Sequence, residues 1–148
     1  MKEDKSVLPE LVEDHEGIKV LRGGDGHQRG WNGISYQQGL SGRNCGSKHL
    51  SVNVATVPPG AIAYAHIHDG FEVMLYIVQG TVRHDFGPEL KQSVVNSAGD
   101  FIYIEPGVPH EVFNIGDGTL VAFVARSTAD EWDKIVSYPS KYRPAGSA

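Results

Sequence analysis

The sequence lacks the features that would point to a disulfide-stabilised fold, a membrane span or nucleic-acid binding. Cys45 is the single cysteine among 148 residues, so no internal disulfide can form. The apolar stretch at residues 73–78 is far shorter than the roughly 20 residues that span a bilayer. A net charge of −5 without a basic stripe argues against nucleic acid or an anionic membrane as partner. We therefore expect a small-molecule partner. We also expect a cytoplasmic location, because the first residues lack the apolar core of a secretory signal.

Glycine and proline are plentiful, and they separate short runs of β-branched and aromatic residues. A chain of this length fits one domain. Candidate strands lie at residues 18–21, 34–36, 50–57, 72–78, 81–86, 89–96, 101–104, 110–115 and 120–125. This pattern predicts an all-β fold, an antiparallel barrel or jelly roll. A helix is expected only near the C-terminus, where Thr128 and Glu131 have capping-box spacing and Trp132, Ile135 and Val136 share a helical face.

A cluster of metal-ligand residue types occupies the middle of the chain. His66 and His68 point to the same face of an extended strand, because side chains alternate along a strand. Asp69 and Gly70 have turn chemistry, so the carboxylate of Glu72 can fold back toward the two imidazoles. Imidazole and carboxylate ligands suit Fe, Mn, Ni, Zn or Cu and leave coordination positions for a substrate.

A further candidate ligand, His110, opens a later strand. Pro106 and Gly107 form a turn before it, and Pro109 favours an extended entry into the strand. The inward set of that strand would be His110, Val112 and Asn114.

These two stretches resemble the paired motifs of the cupin superfamily. The first matches at Gly60, His66, His68, Glu72 and Gly80, and the second matches at Gly99, Asp100, Gly107, His110 and Asn114. The resemblance implies a double-stranded β-helix, or jelly-roll barrel, with His66, His68, Glu72 and His110 as ligands of one divalent transition metal. It also implies a homodimer. The expected division is an N-terminal strand arm and loop at 1–45, a cupin barrel at 46–126 and a C-terminal helix and tail at 127–148.

Three further side chains are candidates for catalytic work. If Glu72 faces the metal, alternation sends Met74, Tyr76 and Val78 inward too. Tyr64 should share the face of His66, and His84 can face the pocket from the neighbouring strand of a hairpin. Each of Tyr64, Tyr76 and His84 can equally be a packing or surface residue.

Three classes of function remain open from the sequence. One is a dioxygenase that binds a small organic substrate and dioxygen, which is the reaction type that the resemblance favours. Another uses the metal as a Lewis acid in isomerisation, decarboxylation or a related lyase reaction, with Tyr76 and His84 as the acid/base pair. The third is a domain that binds a small molecule or metal without turnover. Phosphorylated substrates are disfavoured, because phosphate binding needs cationic groups, and the ligand strands carry only Arg83, with Arg43 on a loop.

Overall fold

The computed structural model describes residues 12–23, 28–31, 34–130 and 132–144. These residues form β-strands joined by short turns, with a single 3₁₀ turn at Pro88–Leu90. The strands are Val12–His15 (β1), Ile18–Leu21 (β2), Gln28–Trp31 (β3), Ile34–Gln38 (β4), Ser51–Val57 (β5), Ile62–His68 (β6), Val73–Gln79 (β7), Thr81–Phe86 (β8), Gln92–Ser97 (β9), Phe101–Ile104 (β10), His110–Asn114 (β11), Leu120–Arg126 (β12) and Ile135–Ser137 (β13).

Two antiparallel sheets enclose the core. One sheet has the order β10-β7-β12-β5-β4-β3 and the other β13-β6-β11-β8-β9, while β1 and β2 form a separate hairpin. Val57, Ile77 and Leu120 from the first sheet and Ala63 and Val82 from the second share one apolar cluster. Several neighbours in each sheet come from distant parts of the sequence, as β12 between β7 and β5 shows. The predicted all-β, antiparallel jelly-roll fold is confirmed.

The strands predicted from the sequence are present, and their ends differ from the predicted ones by at most three residues. In the N-terminal arm, the strand predicted at residues 18–21 is present as β2, and it pairs with β1. The division of the chain at residues 45 and 126 stays a prediction. No helix in the described residues is long and apolar enough to cross a membrane.

The predicted C-terminal helix is wrong. After a turn in which Asp133 N donates to Asp130 O, β13 pairs with β6, with Ile135 opposite His68. A helix stopped by Pro139 would have been too short to be stable alone, whereas pairing with β6 satisfies the backbone groups and extends the sheet. Glu131, which completes the capping-box pattern, lies outside the described residues.

The predicted facing of β7 is also wrong. Val73 and Ile77 are buried, whereas Met74, Tyr76 and Val78 lie on the outer face of the sheet. The connector between β6 and β7 buries Phe71 and leaves Glu72 exposed, so alternation begins with Val73 pointing inward.

The facing of β10, which the sequence left open, is resolved by burial. Ile104 is buried and Ile102 packs against the core, whereas Phe101 and Tyr103 are exposed. The outer face of the larger sheet therefore carries aromatic side chains.

Candidate metal centre

Three histidines from two neighbouring strands converge inside the barrel. His66 and His68 lie near the end of β6, and His110 begins β11 directly opposite His66. One ring nitrogen from each of the three lies within 4.8 Å of the others, and all three side chains are buried. Such a group of imidazoles is a suitable ligand set for a divalent transition metal.

Backbone carbonyls fix the orientation of two of these rings. His66 Nδ1 lies 2.8 Å from Tyr64 O, and His110 Nδ1 lies 2.9 Å from Val108 O. A carbonyl oxygen only accepts, so each Nδ1 carries the hydrogen and donates it, while the lone pair is on Nε2. Metal-binding histidines are commonly held in this way, which fixes both the tautomer and the ring direction.

Burial keeps the three imidazoles neutral in the metal-free protein. It lowers the pKa of His68 to about 2 and the pKa of His110 to about 4. The pKa of His66 also lies well below its ordinary value, first because of burial and then because of His110 and His68. Neutral imidazole is the form that binds a metal, so the site is ready for a cation at neutral pH.

The turn between β10 and β11 is hydrogen-bonded to the end of β6. Gly107 has φ 80°, a conformation that favours glycine, and its N–H donates to His68 O over 2.9 Å. This bond fixes the turn before β11 to the end of β6. The turn thus brings His110 to the two histidines of β6.

The structure does not bring Glu72 to the histidines. Its carboxylate accepts a hydrogen bond from Tyr103 Oη at 2.6 Å, and its backbone N–H donates to Ser127 Oγ at 2.8 Å. Val73, the next residue, is 2% exposed and lines the cavity instead. The connector between β6 and β7 turns residue 72 outward, and this also sets which side chains of β7 point inward.

The phenol rings of Tyr64 and Tyr76 do not line the cavity with the histidines. The β6–β11 pairing shifts register between Ala63 and His66, so Ala63 and His66 both line the cavity. The ring of Tyr64, which lies between them in the sequence, is 5.7 Å from the Arg143 guanidinium. Tyr76 stacks on Phe101 on the outer face, with ring centroids 4.8 Å apart. Neither phenol is placed beside the candidate metal ligands.

His84 is the one predicted catalytic candidate that faces the cavity. It lies on β8, is 4% exposed, and its ring centroid is 6.4 Å from that of His110. Neither ring nitrogen has a hydrogen-bond partner among the described residues. Burial lowers the pKa of His84 to about 3, and His110 lowers it further. A buried imidazole whose nitrogens lack partners among the described residues is suited to contact a bound molecule.

The cavity in front of the histidines is small and mostly apolar. Its volume is ≈ 50 Å³, room for a few non-hydrogen atoms. The polar side chains that line it are His66, His68, His84, His110, Arg126 and Tyr36. A wider pocket of ≈ 390 Å³ shares His84, Ile104 and His110 with it and extends outward past Gln92 and Glu105. These three residues therefore line both the inner cavity and the outer pocket.

Arg126 is a cavity residue that the sequence motifs did not indicate. It ends β12, is 3% exposed, and lines the cavity. Its Nη1 donates to Asn53 Oδ1 over 3.1 Å, and the guanidinium lies 5.8 Å from the Tyr36 ring centroid. Strand alternation could have found it, since Leu120, Ala122 and Val124 are its inward companions on β12.

Comparison with known proteins gives a family match and a set of similar folds. Residues 53–126 match the family profile described as "Cupin domain". No curated protein sequence matches the chain.

Solved structures of oxalate-metabolising enzymes are similar to this chain at low identity. An oxalate decarboxylase is 24% identical with a TM-score of 0.65, over 75% of this chain and 30% of that chain. A predicted oxalate decarboxylase from Thermotoga maritima is 22% identical with a TM-score of 0.57, over 64% of this chain and 80% of that chain. A recombinant oxalate oxidase in complex with glycolate is 23% identical with a TM-score of 0.61, over 72% of this chain and 55% of that chain. At these identities the likeness concerns the fold alone.

Proposed function

Because the chain belongs to the cupin family, we propose that it is a metal-dependent enzyme whose substrate is a small organic molecule. In this proposal His66, His68 and His110 hold one divalent transition metal, and the reaction is an oxidation of the dioxygenase type. The observation that carries the proposal is the convergence of three buried, neutral imidazoles on one point beside a cavity.

The donor set fits such a metal. Two rings are already held with the lone pair on Nε2, and burial keeps all three neutral, so loading needs little rearrangement. Fe, Mn, Ni, Zn and Cu all accept imidazole ligands, and the structure favours none of them over the others. The ion would supply Lewis acidity and, if it is iron or copper, one-electron chemistry.

The side chains around the cluster would bind the substrate and exclude water. Val73, Ile77 and Val124 form an apolar wall, and His84 faces the bound molecule with a ring that can donate from one nitrogen and accept at the other. His84 would hold or move a proton at the substrate.

The positions of the tyrosines favour oxidation over Lewis-acid isomerisation or decarboxylation. Those reactions call for a positioned acid and base, and the sequence offered Tyr76 and His84 as that pair. Tyr76 lies on the outer face, so only His84 of the two lines the cavity.

An oxygen-uptake experiment tests this proposal. Metal-free protein would be loaded separately with Fe²⁺, Cu²⁺ or Zn²⁺ and given a panel of small diketones, thiols and hydroxy acids. We expect oxygen consumption with Fe²⁺ or Cu²⁺, none with Zn²⁺, and none in His110→Ala. His49→Ala, which removes an exposed histidine, is the matched control and should behave like wild type. Turnover without oxygen uptake, supported equally by Zn²⁺, would refute the oxidation and favour the Lewis-acid reaction.

We further propose that two copies associate through the outer face of the larger sheet. Phe101, Tyr76 and Phe123 are cross-strand neighbours there, and Met74 and Tyr103 lie in the next row. Phe101 is 81% exposed and Met74 60%. The exposed area of such a row of large apolar side chains is several hundred Å², more than scattered surface residues account for, and aromatic and Met side chains are enriched at interfaces.

A cytoplasmic location stays a prediction from the sequence.

A further inference from the structure

The outer pocket lies between the end strands of the two sheets. β9 is at one end of the smaller sheet and β10 is at one end of the larger sheet, and residues of both strands line the pocket. Its volume of ≈ 390 Å³ is in the range of small-molecule sites, about 300–1,000 Å³, whereas the inner cavity of ≈ 50 Å³ is far below that range. A molecule of more than a few atoms that reaches the histidines therefore has its body in the outer pocket.

The inner end of this pocket presents a hydrogen-bonding ring. His84 and His110 line it there, and His84 is opposite Val94 in the β8–β9 pair, so the side chains of His84 and Val94 share one face of the sheet. His84 is 4% exposed, and its two ring nitrogens have no partner among the described residues. A hydroxyl or carbonyl group of a bound molecule can supply the missing hydrogen bond.

The outer end of the pocket carries negative charge. Glu105 is exposed there and forms no ion pair with a described Lys, Arg or His. Tyr103, also in the lining, donates a hydrogen bond to Glu72 Oε2, which places a second carboxylate on this side. The described lining residues include no Lys or Arg, and Lys91, directly before β9, is paired with Glu89 over 3.4 Å.

We propose that the outer pocket binds the body of the substrate, and that Glu105 selects a substrate with an ammonium group at its far end. This deepens the proposed function and rests on it for the reaction, although binding alone does not require a metal. The molecule has a hydroxyl or carbonyl head at His84, an apolar middle against Val94, Ile102 and Val108, and a cationic tail at Glu105. An anionic tail is disfavoured, because it would meet a like charge at the outer end.

Benzyl alcohols that carry an aminomethyl, hydroxymethyl or carboxylate group at the para position form a matched set of probes. They share the ring and the hydroxymethyl head, and they differ in the charge of the tail. Their affinities for the metal-free protein would be measured by NMR titration at neutral pH, and the backbone amide signals of Val94, Ile102 and Val108 should shift. We expect the ammonium probe to bind about fivefold tighter than the carboxylate probe, with the neutral probe between them, because the contact is an exposed ion pair.

Variants of Glu105 test which residue sets this order. Glu105→Gln should bring the three affinities together, and Glu105→Lys should reverse their order. Asp117→Lys makes the same change in net charge at an exposed turn outside the pocket, so it should keep the wild-type order. Val94→Phe, which fills the pocket from β9, should abolish binding of all three probes and leave the metal content at one ion per chain.

The metal-free measurement separates this inference from the proposed function. Equal affinity of the three probes in wild type, an order that survives in Glu105→Lys, or no binding by any probe overturns the inference whatever the oxygen-uptake result. The predicted order, together with no oxygen uptake by any metal-loaded form, supports the ammonium-selective pocket and refutes only the oxidation.

Discussion

Replacing His84 by leucine should stabilise the metal-free protein, and by more at low pH. Leucine has a similar volume and removes two buried ring nitrogens that lack partners among the described residues. An unsatisfied buried polar group costs about 1–3 kcal/mol, so His84→Leu should raise the free energy of unfolding by about that amount at pH 7.5.

The pH dependence follows from the lowered pKa of His84. The folded-state pKa is about 3, below the ordinary value of 6.5, so below pH 6.5 the unfolded chain takes up a proton that the folded chain does not. Wild type therefore loses stability as pH falls through 6.5, and this one histidine accounts for about 2 kcal/mol between pH 7.5 and 5. His84→Leu lacks that loss, so its advantage over wild type should widen by about 2 kcal/mol at pH 5.

Urea denaturation of the metal-free proteins at the two pH values measures both effects. His49→Gln, at an exposed site, should follow the wild-type pH dependence. The reasoning is refuted if wild type and His84→Leu lose equal stability between the two pH values. A variant that is more stable yet turns over substrate more slowly would mark His84 as a functional residue, since stability has been given up there for activity.

Three shorter predictions address the other residues. Glu72→Gln should keep one metal ion per chain by elemental analysis, because its carboxylate contacts Tyr103 and not the histidines; loss of the ion would restore Glu72 as a ligand. Phe101→Asp should reduce dimer formation in sedimentation experiments at micromolar concentration, because a charge replaces an 81% exposed aromatic side chain of the row. The control is Lys91→Asp, an exposed site directly before β9 of the other sheet, and an unchanged dimer in Phe101→Asp would exclude this face. A saturating metal at about 100 times its Kd should raise the free energy of unfolding of wild type by about 2.7 kcal/mol, and the same concentration should leave His110→Ala unchanged.

The fold was predictable because local patterns and turn chemistry agree along most of the chain. Residues 110–115 and 120–125 are runs with β-branched and aromatic residues separated by Gly116 and Gly118, and both runs form strands in the structure. The three histidines were also predictable, since two share a strand face and the third begins a strand after a turn.

The side of the sheet to which a side chain points was not predictable where a single residue shifts the inward–outward alternation along the strand. The connector after His68 decides whether residue 72 or residue 73 points inward, and the register shift beside Ala63 turns Tyr64 outward. Asn53 and Arg126 were not predicted, because each is polar on a buried face, and their mutual hydrogen bond, which contributes to that burial, is visible only in the structure. The C-terminal segment became a strand because a tertiary partner, β6, outweighed a local helical pattern.

Metal stoichiometry of wild type and His110→Ala, each purified without an affinity tag, tests the central claim most directly. The three-histidine centre predicts one transition-metal ion per chain in wild type and in the His49→Ala control, and less than a tenth of that in His110→Ala. A full complement of metal in His110→Ala would contradict the account.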